Sequence, residues 1–518
     1  MGLMDILHKI AGFLPEIKTP AKPLGTKDRL IWTGVVLVLY FMMYETTAFG
    51  VQISDTAAID FLQTITASRT GSLLTTGIGP IVLASIFLQL FSGAGIININ
   101  MRDKKDRAKF LETQKILAIT LALVEAIVFV VFTHMVPVQP IFSSLGEGII
   151  TDPVTGVQSL YAPYTMALVV IQIMLGSVLV LFLDEIVTKY GIGSGISLFI
   201  AAGVSLAVFI GVVHIVFDAP NGFIAMMSEG GAEALPNAIL TLLPFVFTIL
   251  VFLAVVYAES LKVEIPIAFE RVRGMVPNLP LKFFYVSNIP VIFASALIIN
   301  MQLFSGGLLT GAYWSKSPVD GTTTAVAQYE DLLETRHYDF DRDGFLPLIG
   351  YTTADGRLTD GLLYLFTPLY GLGQGTQYYS LLATTSTPFL GIPEWVHAIV
   401  YILMLSLVSV VFGLFWVETS NMDAKSVAAQ LSESGLQIPG FRRDPRMLET
   451  ILNKHIFPLT VMGSFCVGLL AGLADLTGAL GTGTGILLTV GILHRMYEQL
   501  EQMRTFEMYP SFSKLLGE

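Results

Sequence analysis

Cysteine and charge are scarce in this sequence. One of its 518 residues is Cys, and Asp, Glu, Lys and Arg together make up only 13 %. The single Cys466 cannot form an intrachain disulfide, and the seven His residues show none of the spacings of metal ligands. A disulfide scaffold, thiol redox chemistry and a His/Cys metal centre are therefore excluded, and we expect no bound cofactor.

The motifs of common hydrolases are missing as well. The chain has no His-Glu-x-x-His, no Gly-x-Ser-x-Gly and no plausible pair of intramembrane aspartates. The glycine-rich segments 191–195 and 481–485 lack the Lys-Ser/Thr pair of a phosphate-binding loop, and close backbone packing is their simpler explanation. We therefore expect no enzymatic activity.

Long apolar stretches are what the sequence has in abundance. Hydrophobic residues make up 53 % of the chain, and the mean hydropathy of +0.70 is rarely reached by soluble domains of this length. Apolar stretches of about 20 residues, enough to cross a hydrocarbon core of roughly 30 Å, recur along the chain. Ten such spans are predicted near 30–50, 73–97, 113–136, 164–187, 193–217, 236–259, 283–309, 395–417, 456–474 and 479–499.

Lys and Arg fall almost entirely on one side of these spans. With the N-terminus in the cytoplasm, all but five of the 29 Lys and Arg residues lie on the cytoplasmic side, as the positive-inside rule requires. The five exceptions are Arg69, Lys316, Arg336, Arg342 and Arg357. We therefore predict that both termini are cytoplasmic. The acidic outer connections explain the net charge of −11, which fits either a salt-rich habitat or ordinary variation.

The fold that this pattern predicts is an all-α membrane protein of ten transmembrane helices. The spans divide into an N-terminal half at 1–217 and a C-terminal half at 236–518, around a hinge connection at 218–235, and an inverted pair of halves would place a pathway between them. The segment from Ser54 to Thr66 is too short and too polar to cross a bilayer. It is either an interfacial loop helix or a half-helix folded into a funnel.

Ionisable residues are almost absent from the predicted spans. Glu125, in the third span, is the one clearly deep acid. It either hydrogen-bonds a neighbouring helix or serves as an ion-coupling site, which a secondary transporter would need. A small-solute transporter is therefore the rival to a passive channel.

The longest connection, at 310–394, is an acidic outer insertion. Within it Asp339, Asp341 and Asp343 have the 1-3-5 oxygen spacing of a calcium-binding EF-hand loop, but the twelfth position is Gly350 rather than Glu. A calcium site and a solvated acidic turn both remain open.

Several long segments resemble one known family. The segments 63–90, 184–204, 285–303, 412–419 and 478–500 are closely similar to the SecY family, archaeal type, the central (alpha) subunit of the protein-conducting translocation channel. The resemblance spans nearly the whole chain and departs only at 310–390, which is longer than expected. It implies the two inverted five-helix halves, and a short plug half-helix that falls on 54–66.

The resemblance also implies an hourglass pore closed at its waist by aliphatic side chains. These waist residues correspond to Ile78, Val82, Ile196, Ile200, Ile292 and Leu488. Aliphatic side chains offer water and ions no hydrogen bonds, so a narrow waist dewets, yet they can part around a passing polypeptide. Without the resemblance, each could equally be ordinary lipid or core packing.

The family also opens sideways to release hydrophobic segments into lipid. The polar residues at the corresponding gate positions are Gln89 and Asn300, in the second and seventh spans. Buried together in a closed seam, they would be worth about 1 kcal/mol through hydrogen bonding. Polar residues that merely line a pore wall are the alternative.

Two long cytoplasmic connections project furthest, the first arm at 259–282 and the second arm at 418–454. By resemblance they dock a ribosome, through contacts of Arg271, Arg273, Arg442 and Arg443 with ribosomal RNA and proteins. By composition alone they are only positive-inside residues. The resemblance further implies SecE (gamma) and beta subunits, nascent polypeptides with their signal sequences, and the lipid bilayer as partners, in a plasma-membrane location.

Overall fold

The structure is a computed structural model. It describes residues 17–20, 24–51, 67–93, 104–132, 136–151, 158–217, 222–229, 234–266, 268–269, 278–286, 289–298, 301, 346–352, 358–368, 382–387, 390–420, 422–433, 436–437 and 445–508. The predicted plug at 54–66 and the candidate calcium ligands Asp339, Asp341 and Asp343 lie outside these residues.

Helices dominate the described chain. They are α1 Thr26–Glu45, α2 Gly79–Gly93, α3 Lys104–Ile127, α4 Pro163–Tyr190, α5 Gly195–Phe217, α6 Phe223–Glu229, α7 Ala234–Thr241, α8 Leu243–Ser260, α9 Ile289–Ile298, α10 Glu394–Thr419, α11 Ala424–Glu433, α12 Pro445–Leu476 and α13 Gly483–Met508. Shorter helical segments span Val128–Phe132, Ser143–Leu145, Leu346–Ile349 and Tyr364–Phe366. A helix lies within each predicted span, and six helices of the described chain are long and apolar enough to cross a membrane.

Helix boundaries differ from the predicted spans at two places. The second span was expected from residue 73, but residues 73–78 form turns and α2 begins only at Gly79. Gly77 has a φ of +52° there, a conformation that interrupts a helix. Conversely, α12 begins at Pro445, well before the predicted 456. Hydropathy missed these first turns because they are amphipathic and add little to the mean over an apolar window.

The strands form short antiparallel pairs between helices. β1 Gly148–Thr151 pairs with β2 Gln158–Tyr161, β3 Lys262–Pro266 with β5 Asn278–Lys282, β4 Ala268–Phe269 with β8 Leu436–Gln437, and β6 Tyr351–Thr352 with β7 Leu358–Asp360. The β4–β8 pair joins the first arm to the second, so two connections far apart in sequence form one surface feature.

The turn between α4 and α5 has a specific construction. Gly193 has a φ of +75°, which favours glycine. Two residues later, a Cβ on Gly195 would lie 2.5 Å from the Cα of Asp184, so α5 starts in close contact with α4. The Asp184 carboxylate accepts a 2.9 Å hydrogen bond from the N–H of Ile196 and thereby caps α5.

The turn between α12 and α13 repeats this construction. Gly481 has a φ of +74°, and two residues later a Cβ on Gly483 would lie 2.6 Å from the backbone N of Asp475. The Asp475 carboxylate accepts a 2.6 Å hydrogen bond from the N–H of Gly483 and caps α13. The α4–α5 pair and the α12–α13 pair are therefore joined by the same kind of turn and carboxylate cap.

One large hydrophobic cluster occupies the middle of the molecule. It takes buried side chains from α1, α2, α3, α4, α5, α8, α9, α10, α12 and α13. Close helix contacts depend on glycine: a Cβ on Gly468 of α12 would lie 2.6 Å from the Cα of Ser406 in α10. The described core therefore depends on direct backbone approach as well as on apolar burial.

Candidate functional site

The six predicted waist residues belong to the same hydrophobic cluster. Ile78, Val82, Ile200 and Leu488 are buried in it, and Ile196 and Ile292 are half-buried against it. They come from the turn before α2, from α2 itself, from the first turns of α5 and α13, and from α9, so both predicted halves contribute. The structure thus brings these residues into one apolar cluster, while their role in sealing a pore stays a prediction.

A tight contact fixes the segment that leads into Ile78. A Cβ on Gly176 of α4 would lie only 1.8 Å from the carbonyl oxygen of Leu73, so no larger residue fits there. Beside it, the hydroxyl groups of Thr76 and Ser177 are hydrogen-bonded and buried. Sequence reasoning missed this contact, and its only local signal was the pair Gly176-Ser177 within an otherwise apolar stretch.

Buried hydroxyl groups also lie near Leu488. Thr484 and Thr489 of α13 each have a buried hydroxyl oxygen with no hydrogen-bond partner among the described residues. An unpaired buried hydroxyl carries a desolvation cost that packing must offset. The first turns of α13 are therefore held in place chiefly by their apolar neighbours and by the Asp475 cap.

The predicted lateral seam is described in part. Helix α10 packs against α2, and Phe293 of α9 contacts Phe412 and Trp416 of α10 with ring centroids 5.8 and 5.9 Å apart. Gln89 belongs to α2, and Asn300 lies outside the described residues. The pairing of Gln89 with Asn300 therefore stays a prediction.

Glu125 lies at a buried position of α3 and is 6 % exposed. Its Oε1 atom has no hydrogen-bond partner in the part of the chain that the structure describes. A helical segment with wider, π-type turns, Val128–Phe132, follows directly, and such segments are frequent at functional sites. The two interpretations of Glu125 both stay open.

Ion pairs link α3 to α4 and the first arm to α13. The Glu185 carboxylate of α4 binds Lys115 at 2.9 Å and Lys189 at 2.8 Å. In the other half, Lys282 of β5 binds Glu498 of α13 at 2.9 Å. All three pairs are only partly exposed, so solvent screens them less than surface pairs.

The two arms carry the predicted docking arginines. Ala268 pairs with Gln437 and Phe269 with Leu436, so the strands that flank these arginines lie side by side. Arg271, Arg273, Arg442 and Arg443 themselves lie outside the described residues. Their contact with a ribosome stays a prediction.

Comparisons with known proteins agree with this architecture. The SecY family profile matches residues 72–497 of the chain. This chain belongs to the SecY family. The protein translocase subunit SecY of Methanocaldococcus jannaschii is 41 % identical over 517 residues, which cover 99 % of each chain.

Solved structures of SecY-like channels share the fold. A structure described as a protein-conducting channel has a TM-score of 0.72 and 39 % identity, covering 99 % of this chain and all of the other. Sec61 in the canine ribosome–channel complex from the endoplasmic reticulum has a TM-score of 0.69 and 38 % identity, with the same coverage. The chain is therefore a helical, multi-pass membrane protein of the SecY type.

Proposed function

We propose that this SecY-family chain is the central subunit of a protein-translocation channel. Secretory polypeptides pass through its waist, and hydrophobic segments leave sideways into the lipid. The observation that supports the proposal is that six aliphatic side chains from distant segments, Ile78, Val82, Ile196, Ile200, Ile292 and Leu488, lie in or against one hydrophobic cluster. Such a cluster can close without water and can reopen around chains of any sequence.

The proposed architecture has ten spans in two inverted halves, 1–217 and 236–518, around the hinge at 218–235. The repeated Gly-x-Gly turns and carboxylate caps support this pairing of halves. Ile200 and Leu488 follow these turns on α5 and α13. The plug at 54–66 would close the pathway on the outer side, and Gln89 with Asn300 would line the lateral gate.

Docking and assembly follow from the arms and from the relatives. The canine Sec61 structure is a ribosome–channel complex, and in this chain the joined arms would form the docking surface. Arg271, Arg273, Arg442 and Arg443 would bind ribosomal RNA phosphates. SecE (gamma) and beta subunits would complete the channel in the plasma membrane, with both termini cytoplasmic. The channel itself is passive, without enzymatic activity, and its partners supply the energy.

A crosslinking experiment separates this channel from the rival transporter. A photoreactive residue replaces Val82 at the waist or, as a matched control, Val38 of α1, which is 61 % exposed on the surface. A stalled secretory chain should crosslink to position 82 and not to position 38. Equal labelling of both positions, or saturable uptake of a small solute without labelling, would refute the channel.

A further inference from the structure

The first arm is closed at its root. It leaves α8 at Ser260 and returns at Lys282, where the β3–β5 ladder pairs Lys262 with Lys282. Next to this pair, the N–H of Phe283 donates a 2.8 Å hydrogen bond to the carbonyl of Leu261. A displacement of the arm therefore reaches Lys282 directly.

Lys282 connects the arm to α13. Its Nζ atom lies 2.9 Å from both carboxylate oxygens of Glu498, and the Nε2 atom of His494 lies 3.3 Å from one of them. Glu498 is roughly three helical turns, about 15 Å, from the waist residue Leu488 along α13. A helix transmits such a displacement as a stiff rod.

Charge is unevenly shared at this root. Glu259, at the end of α8, is 4 % exposed, and its Oε1 atom has no hydrogen-bond partner among the described residues. Lys282, Arg495 and His494 lie near enough to act on its charge. Arg495 donates one hydrogen bond, from Nε to the carbonyl of Gly491 at 3.3 Å, and makes no ion pair within the described chain.

The Glu498 carboxylate thus contacts both Lys282 and His494, whereas the buried Glu259 carboxylate makes no ion pair among the described residues. An unpaired buried carboxylate is costly, and pairing it would recover part of that cost. Lys282 and Arg495 both act on the charge of Glu259, so either is a candidate to pair with it when the arm moves. A conformational switch requires two alternative sets of contacts of this kind.

We propose that Glu259, Lys282, His494, Arg495 and Glu498 form a joint that couples the first arm to the waist. In the resting pairing, Lys282 on Glu498 holds α13 and Leu488 in the closed position. When a partner docks on the arm, the side chain of Lys282 or Arg495 pairs with Glu259 instead. The contact with Glu498 is then lost and α13 is free to move. The role of docking rests on the ribosome contact proposed above, and the resting hold rests on the proposed waist seal but not on docking. All five are positioning residues, since none belongs to the waist.

The resting hold is tested in ribosome-free channels in planar bilayers. Glu498→Gln should raise ion conductance by about tenfold, within the range of typical coupling energies. The exchange of Lys282→Glu with Glu498→Lys should return conductance to near the wild-type value, which also shows that the variants fold. The matched control is Glu185→Gln, which removes a similar paired carboxylate from the other half and should leave conductance unchanged.

The switched pairing is tested with ribosomes carrying a stalled secretory chain. Glu259→Gln should leave ribosome affinity and resting conductance unchanged but lower crosslinking of the chain at position 82 by about tenfold. Wild-type crosslinking in Glu259→Gln together with control-like conductance in Glu498→Gln would overturn the joint. If the wild-type chain bound no ribosome, the docking function would fail, while a leak in Glu498→Gln would still support the resting hold.

Discussion

Glu147 is a single side chain that organises a helix start distant in sequence. It lies between α3 and α4, and its carboxylate accepts 2.8 and 3.0 Å hydrogen bonds from the N–H groups of Thr165 and Phe142. The Thr165 hydroxyl donates to it as well. Burial by itself would raise the pKa of Glu147, but these hydrogen bonds outweigh it and hold the pKa below its ordinary value.

Glu147→Gln should lower the melting temperature of the purified protein by a few degrees at neutral pH, because the first turn of α4 loses a charged acceptor. A lowered pKa means that the carboxylate stabilises the fold above its unfolded-state pKa and stops doing so as pH falls through the folded value. The difference between wild type and variant should therefore shrink in acid. Thermal melts across the acid range measure it.

The control for that measurement is Glu418→Gln, which changes an exposed carboxylate. It should leave the melting temperature unchanged at every pH. A constant difference between wild type and Glu147→Gln down to strongly acidic pH would show that the carboxylate charge is not what stabilises α4.

Roles of single residues could be predicted only where a long, characteristic sequence segment surrounds them. The six predicted waist residues were assigned through the resemblance of long, characteristic segments, and their role stays a prediction. Glu147 was not identified, since it meets Thr165 18 positions away and nothing in the local sequence indicates that the chain returns. The close contact of Gly176 was missed for the same reason, because Leu73 lies far away in sequence, in the turns before α2.

At the scale of elements, the contact between α10 and α12 depends on small residues. A Cβ on Gly468 would lie 2.6 Å from the Cα of Ser406 and 3.0 Å from the carbonyl oxygen of Leu405. Farther along α12, a Cβ on Gly472 would lie 3.2 Å from the Cα of Ile402. Backbone atoms cannot move aside as side chains do, so these two helices form a stiff pair.

Gly468→Ala should destabilise the protein by roughly 1–3 kcal/mol, the usual cost of overpacking. Gly34→Ala in α1 is the matched control, because its Cβ would meet nothing within 4 Å and alanine favours the helix by about 0.5–1 kcal/mol. Denaturation in detergent compares the two. Equal or stabilising effects of both substitutions would mean that α10 and α12 can separate freely.

The sequence predicted which segments form helices, but not where each helix begins or which short strands pair. Apolar length predicted a helix within each span, because a lipid-exposed backbone must satisfy its own hydrogen bonds. The second span was predicted to start near 73, whereas α2 begins at Gly79, because hydropathy does not distinguish the turns at 73–78 from helix. The pairing of β4 with β8 had no sequence signal, because two-residue strands from distant arms carry no periodicity.

At the scale of the whole molecule, residues from both predicted halves share the hydrophobic cluster that contains the predicted waist. Ile78 and Ile200 are each 1 % exposed and Leu488 is 0 % exposed, so these side chains are buried. Burial alone would suit an ordinary core equally well. What separates a gate from a core is the response of ion permeability to polarity at these positions.

Val82→Asn should raise ion conductance across planar bilayers roughly several-fold, and Ile200→Asn combined with it should raise conductance further. A polar side chain gives water a hydrogen-bond partner where the aliphatic waist gives none, so the constriction fills and ions follow. Val38→Asn on the exposed face of α1 changes the same residue type away from the waist and should stay tight. Unchanged conductance in the waist variants, with folding and SecE-type partner binding intact, would make these residues core packing and place the pathway elsewhere.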